Sequence, residues 1–131
     1  MSLLEVLSGY LVRLGVCIGD GVDCFRDFIP EQPDNVVVLY EYGSDKVLPY
    51  DTNVHRSVQV RVRMKDADAA RAKAVQACSA FRSLTEDNRI DFDDTRWGQV
   101  YIRQTPFKLS QDESDRVTYC FNLGITTTML E

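Results

Sequence analysis

Hydrophobic residues recur at helical spacing in two segments of the chain. The first covers residues 3–14, where Ser2 and Glu5 have the spacing of a capping box and Gly15 suits a left-handed stop. The second follows Asp66, and its apolar stripe is rich in alanine: Ala67, Ala70, Ala74, Ala77, Phe81 and Leu84. Small side chains on that stripe would let the helix lie close to a sheet. The spacing predicts helices over residues 3–14 and 66–84.

Four other segments have the composition or the alternation of strands. Residues 36–42 form an apolar, β-branched and aromatic run, which is typical of a buried strand. Residues 58–64 place valines on one face and polar residues on the other, and residues 99–104 and 116–128 also alternate. Residues 19–33, interrupted by prolines, predict an irregular, partly buried connection.

The order of these elements predicts an α+β fold. Pairs of strands joined by loops favour antiparallel pairing over parallel βαβ units. We expect a four-stranded antiparallel sheet in the order α-β-β-α-β-β, with helix 66–84 on one face and the N-terminal helix at an edge or against a neighbour. A chain of 131 residues without an internal linker predicts a single domain over residues 1–131.

The polar connection between the first two strands, residues 43–57, is longer than a hairpin needs. Loops of this length without structure of their own are often functional. Val47, Leu48, Pro49 and Tyr50 form an apolar cluster within it, which indicates a contact surface. We expect a protruding arm over about residues 43–57, with a predicted contact set of six residues: Val47, Leu48, Pro49, Tyr50, His55 and Arg56.

Composition and charge exclude several classes of protein. With 44% hydrophobic and 27% charged residues, the chain matches an ordinary globular protein rather than a disordered one. Its net charge of −5 argues against a nucleic-acid reader that works by neutralising phosphates. The apolar stretch over residues 3–18 is interrupted by Glu5 and Arg13, so neither a membrane span nor a signal peptide fits and we expect a cytoplasmic protein.

Candidate chemistry is sparse, so we expect no enzyme, no cofactor and no metal site. His55 is the single histidine, and the four cysteines lack a CxxC pair, which favours buried free thiols over zinc ligands. The most metal-like group is Asp91, Asp93 and Asp94. It lacks the glycine and glutamate of a calcium loop, which favours a solvated turn but leaves cation binding open. Trp97 is expected to fill a place in the core.

Three stretches of the chain form a recognisable series. Residues 30–43 are a proline-rich turn leading into a strand that ends in Tyr-Gly, and residues 58–63 are a second strand followed by an alanine-rich helix. The third is a turn into the last strand, with Gln104, Thr105, Pro106 and Phe107 followed by Asp112, Glu113 and Arg116. In order and spacing these stretches resemble the minor capsid and tail-completion proteins of long-tailed bacteriophages.

The resemblance implies a tail terminator: a structural virion subunit that forms a hexameric ring, stops growth of the tail tube and joins the tail to the head. Its partners would be further copies of itself, the tail tube protein and the head-tail connector protein, in the host cytoplasm during assembly and then in the virion. DNA would only pass through an acidic ring, which repels phosphates. A head-closure or neck component and a non-viral small-molecule binding module are the alternatives.

Overall fold

The computed structural model describes residues 2–43, 53–84, 89–92 and 96–127. Two helices and six strands follow in chain order: α1 (Leu3–Arg13), β1 (Cys24–Arg26), β2 (Val36–Tyr42), β3 (Val54–Met64), α2 (Ala67–Arg82), β4 (Arg89–Asp91), β5 (Trp97–Gln111) and β6 (Val117–Thr127).

The strands form one sheet in the order β1-β2-β3-β6-β5-β4. The α+β class is therefore confirmed, and the four predicted strands are adjacent and antiparallel as expected. The predicted strand number is wrong, because a short strand is added at each edge and β1 runs parallel to β2. The sheet is six-stranded and mixed rather than four-stranded and antiparallel.

Both helices contribute to the core on one face of the sheet. The inward side chains of the two central strands are fully buried there: Val58, Val60 and Val62 of β3, with Phe121, Leu123 and Ile125 of β6. The helices also touch each other, since the Tyr10 hydroxyl donates to the Ala80 carbonyl at 3.0 Å and the Tyr10 and Phe81 ring centroids are 5.5 Å apart. We call this the inner face and its opposite the outer face.

The first helix begins and ends as its sequence predicts. The Glu5 amide donates to the Ser2 hydroxyl at 3.3 Å, and Gly15 has a φ of 78° just after the helix. The second half of the expected capping box is missing. The Glu5 carboxylate lies 3.4 Å from the Arg26 guanidinium of β1 instead, which ties α1 to the edge of the sheet.

The alanine stripe of α2 faces the sheet. Ala70, Ala74 and Ala77 are fully buried, and Phe81 continues the stripe to within 6.3 Å of the Phe121 ring centroid. Ala67, predicted as part of the stripe, is exposed because it lies in the first helical position, next to solvent. The small side chains allow the close approach that the sequence predicted.

Three other expectations need correction. Residues 54–57 belong to β3, so the predicted arm is shorter than residues 43–57, and residues 44–52 lie outside the described residues. β5 continues seven residues past Gln104, the predicted end of that strand. Trp97 is 43% exposed rather than a core residue, and the Arg89 guanidinium carbon lies 4.7 Å from its ring centroid.

Candidate interaction site

Of the six predicted contact residues, the structure describes His55 and Arg56, whereas Val47, Leu48, Pro49 and Tyr50 lie outside the described residues. His55 is exposed on the outer face, where its Nδ1 lies 2.9 Å from the Thr126 hydroxyl of β6. Arg56 is buried on the inner face, opposite Ile125. Neither residue lies in a polar loop, because alternation along β3 sends the two side chains to opposite faces.

Arg56 forms a two-pronged ion pair with Glu41 across β2 and β3. The Arg56 Nη2 donates to Glu41 Oε1 at 2.6 Å, and its Nε donates to Oε2. Bidentate arginine–carboxylate pairs fix geometry as well as adding energy. The pair lies where the chain leaves β2 and returns in β3, so the predicted arm starts from a rigid base.

A ladder of polar side chains crosses the centre of the outer face. The Arg61 Nε donates to Gln59 Oε1 at 2.6 Å, and the Gln59 amide donates to Asn122 Oδ1 at 3.1 Å. Asn122 then donates to Gln104 Oε1 at 2.8 Å. Tyr40 borders the ladder, with the Arg61 guanidinium carbon 4.6 Å from its ring centroid. These contacts link β2, β3, β6 and β5 through side chains alone.

A bulge in β5 adds a second polar link on the same face. Ile102 pairs with Leu123 and Gln104 with Asn122, so Arg103 is the extra residue between them. Bulges redirect side chains, and the Arg103 guanidinium extends over β6 to donate to the Ser57 hydroxyl of β3 at 2.9 Å. The Arg103 Nη2 also donates to the Tyr101 hydroxyl at 3.3 Å, and the Tyr101 ring occupies the space above Gly124.

Two arginines hold the proline-rich turn against one end of the sheet. Arg63 of β3 donates to the carbonyls of Pro33 at 2.7 Å and Asp34 at 3.1 Å. Arg116, just before β6, donates to the Glu31 carbonyl at 2.6 Å. Both guanidiniums are almost fully buried. The turn that the sequence singled out is therefore anchored through its backbone.

Asp112 orients Arg116 from the turn between β5 and β6. Its carboxylate accepts from the Arg116 Nε at 2.7 Å and from the Arg116 amide at 2.9 Å. Desolvation acts against the charged form, but the hydrogen bonds from Arg116 and from the Ser114 amide outweigh it. Together they hold the pKa of Asp112 below its ordinary value of 3.8.

A cleft of about 450 Å³ opens beside this cluster on the outer face, with Arg61, Arg63 and Arg116 among its walls. Its guanidiniums are engaged by backbone carbonyls, a glutamine and a carboxylate. The cleft thus has the polar wall of a packed turn rather than the apolar wall typical of a small-molecule site.

Charge is segregated between the strands and the rest of the chain. The four long strands carry one carboxylate, Glu41, against five basic residues: Arg56, Arg61, Arg63, Arg103 and Lys108. In a protein of net charge −5, the acidic residues are consequently concentrated outside the long strands, and the two helices contain only Glu5 and Asp68 of them. The net charge does not reveal this distribution, because it is a property of the whole chain and not of one element.

Within the described residues, no group of three or more potential ligands is arranged to hold a metal ion. Asp91 pairs with Arg89 at 2.8 Å, and Asp93 and Asp94 lie outside the described residues. The four cysteines are free and buried, as predicted. Burial raises the pKa of the Cys78 and Cys120 thiols. None of the described helices is both long enough and apolar enough to span a bilayer.

The fold is an α+β domain whose outer sheet face carries a connected series of polar side chains. A sequence profile of the family described as "Bacteriophage tail terminator protein" matches residues 11–129. The chain therefore belongs to this family of phage tail proteins, as the resemblance in the sequence indicated. Comparison with individually curated proteins finds no match.

Proposed function

We propose that this protein is a structural subunit of a phage tail: a ring, expected to be hexameric, at the head-proximal end of the tail tube. The match to the tail terminator family over residues 11–129 carries the proposal. In this role the subunit stops tube growth, contacts the tail tube protein on one side and the head-tail connector protein on the other, and performs no catalysis. It acts in the host cytoplasm during assembly and then in the virion, while DNA passes through the ring as cargo.

The outer face supports a structural role because its side chains are tied to one another. Arg61, Gln59 and Asn122 form a connected series, and Arg103 bridges to Ser57. A polar network of this kind makes the sheet rigid. Rigidity is useful to a subunit that has to present the same surface in every copy of a ring.

The base of the β2–β3 connection supports the proposed arm. The Arg56–Glu41 pair fixes the two strand ends, and Tyr42, 46% exposed, leads out of β2. We propose that Val47, Leu48, Pro49 and Tyr50 contact a neighbouring subunit or the tube beyond this base. His55 lies beside it on the outer face, within reach of the same partner.

Two alternatives to this function remain. A head-closure component would bind capsids instead of tails, and the outcome of a binding assay separates the two. A small-molecule module would need an enclosed apolar pocket, and the cleft with Arg61 and Arg63 in its walls is polar.

The test is to add the purified protein to isolated tail tubes and, separately, to capsids. Electron microscopy should show rings at tube ends and tubes of defined length, with no retention on capsids alone. Retention on capsids alone would favour head closure. A chain that binds neither particle would contradict the proposal.

A companion variant tests the arm. The β2–β3 pairing ends at Tyr42 and Ser57. If a shortened chain continued this pairing for three more residues on each strand, residue 45 would pair with Val54. Replacing residues 46–53 with Asn-Gly therefore supplies a two-residue hairpin without shifting the strands. Circular dichroism should show an intact fold, and capping of tubes should be lost. A folded variant that still caps tubes at normal length would show that the arm is not required.

A further inference from the structure

The outer edge of β5 is open along most of its length. β4 pairs only with Trp97–Gln99 of β5, so from Val100 to Gln111 that edge has no strand partner among the described residues. Leu109 of this strand is about two-fifths exposed beside the outer-face cleft, and so is Tyr101, whose ring lies over Gly124 of β6. An open strand edge with exposed apolar side chains is a surface where another chain can dock.

The irregularity of this edge favours side-chain contacts over a continuous backbone ladder. The pairing of β5 with β6 shifts register three times, between Ile102 and Gln104, between Gln104 and Phe107, and between Lys108 and Ser110. Pro106 also lacks an amide hydrogen for pairing. A partner docked on this edge is therefore recognised mainly by the charged and apolar groups that it meets.

The β5 edge is basic. The strand contains Arg103 and Lys108 and no carboxylate. The Arg103 guanidinium reaches over β6 to Ser57, so Lys108 is the basic group available to a partner at the open edge. Lys108 is exposed, and its ammonium group makes no hydrogen bond or ion pair with any of the described residues. Two β5 edges brought together would oppose like charges, which disfavours a symmetric contact between the same edge of two copies.

The β1 edge at the other end of the sheet is acidic and concave. A cleft of about 390 Å³ beside β1 has Asp20, Phe25, Arg26, Asp27 and Phe28 among its walls. Arg26 is paired with Asp20 at 2.8 Å and with Glu5 on α1.

Asp27 is the exposed acidic group of this cleft, and its carboxylate makes no hydrogen bond or ion pair with any described residue. Phe28, 57% exposed, adds an apolar surface next to it. The cleft thus offers a carboxylate and an aromatic ring, which together suit an ammonium group on an aliphatic stem.

We propose that the β5 edge of one copy docks against the β1 edge of the next, with Lys108 entering the cleft beside Asp27 and Leu109 packing near Phe28. This inference rests on the proposed ring function and names the surfaces that would build the ring. The contact joins two different surfaces of identical subunits, so it is head-to-tail and closes into a ring when the rotation permits.

Charge reversal at each edge tests the pairing. Lys108→Glu and Asp27→Lys should each weaken self-association at least about tenfold, because each places like charges across the contact. Mixing the two variants should restore it. In an alternating ring the two substituted side chains meet at one contact with their charges exchanged, and the native Lys108 meets the native Asp27 at the next. Sedimentation velocity and capping of tail tubes are the two readouts.

Matched controls separate this contact from general effects of charge. Arg71→Glu and Asp68→Lys make the same charge changes on the exposed side of α2 and should assemble like the wild type. Asp27 has a φ of 66°, so Asp27→Asn, which also tolerates that conformation, removes the charge without straining the turn. Circular dichroism verifies that each variant is folded.

The outcomes distinguish the inference from the proposed function. Single variants that assemble like the wild type, or a mixture that fails to recover, would overturn the contact while leaving capping by the wild type in place. A wild-type chain that neither self-associates nor caps tubes would overturn both.

Discussion

Tyr101 of β5 lies directly across from Gly124 of β6, and its ring occupies the space that a β-carbon at position 124 would need. The glycine is therefore selected by packing and not by backbone conformation, since its φ is not positive. An aromatic ring over a strand glycine also covers backbone that would otherwise face solvent.

Gly124→Ala should lower the free energy of unfolding by about 1–3 kcal/mol, because the methyl group forces the Tyr101 ring away. Gly9→Ala is the matched control, since nothing lies within 4 Å of a β-carbon there. On the exposed side of α1 that change should add about 0.5–1 kcal/mol. Urea denaturation measures both, and equal effects would contradict the packing assigned to Tyr101.

Glu41→Gln should destabilise the protein by about 1.5–3 kcal/mol, because the buried Arg56 guanidinium loses its charged acceptor. Glu113→Gln makes the same change in an exposed turn and should stay within about 0.5 kcal/mol of the wild type. Thermal denaturation compares the two. A Glu41 variant as stable as the Glu113 variant would show that the pair does not stabilise the base of the arm.

The stability of the wild type should fall with acidification below about pH 4 in part through Asp112. Its pKa is lowered in the folded state, so its contribution is present above the unfolded pKa and is lost as the pH falls through the folded one. Melting temperatures of the wild type and Asp112→Asn should therefore differ at neutral pH and converge in acid. If the difference in melting temperature between the two proteins did not change with pH, the charge of Asp112 would not be the source of its contribution to stability.

Ala74→Leu should cost about 1–3 kcal/mol, since Ala74 is fully buried between α2 and the sheet. Ala72→Leu adds the same side chain on the exposed side of the helix and should change the melting temperature little. If the Ala72 variant were the less stable one, the assigned inward face of α2 would be wrong.

Elements with a long apolar run or a clean period were predicted from the sequence almost to the residue. β2 matches its predicted bounds, and both helices end within two residues of theirs, because burial on one face imposes the pattern. β1 and β4 have three residues each, too few to show a period, and they form because a neighbouring strand offers them partners.

The candidate site was less accessible to sequence reasoning. The start of β3 reads as a polar loop because Arg56 occupies an inward position, where its ion pair with Glu41 offsets the burial of a charge. The bulge at Arg103 and the proline at position 106 interrupt the alternation that would have revealed the rest of β5. The family could be recognised from the sequence, through the resemblance to phage tail proteins. The open β5 edge and the acidic cleft could be found only once the fold was known.

The place of β6 in the sheet also determines when during synthesis the chain can complete its fold. β6 lies between β3 and β5, so it joins two parts of the sheet that do not otherwise pair. On a translating ribosome, Val60 emerges long before its partner Phe121, and folding that depends on such a distant strand has to wait for its synthesis. A partly synthesised chain therefore has no finished sheet, and only a completed chain can present the outer face and the two sheet edges to a partner.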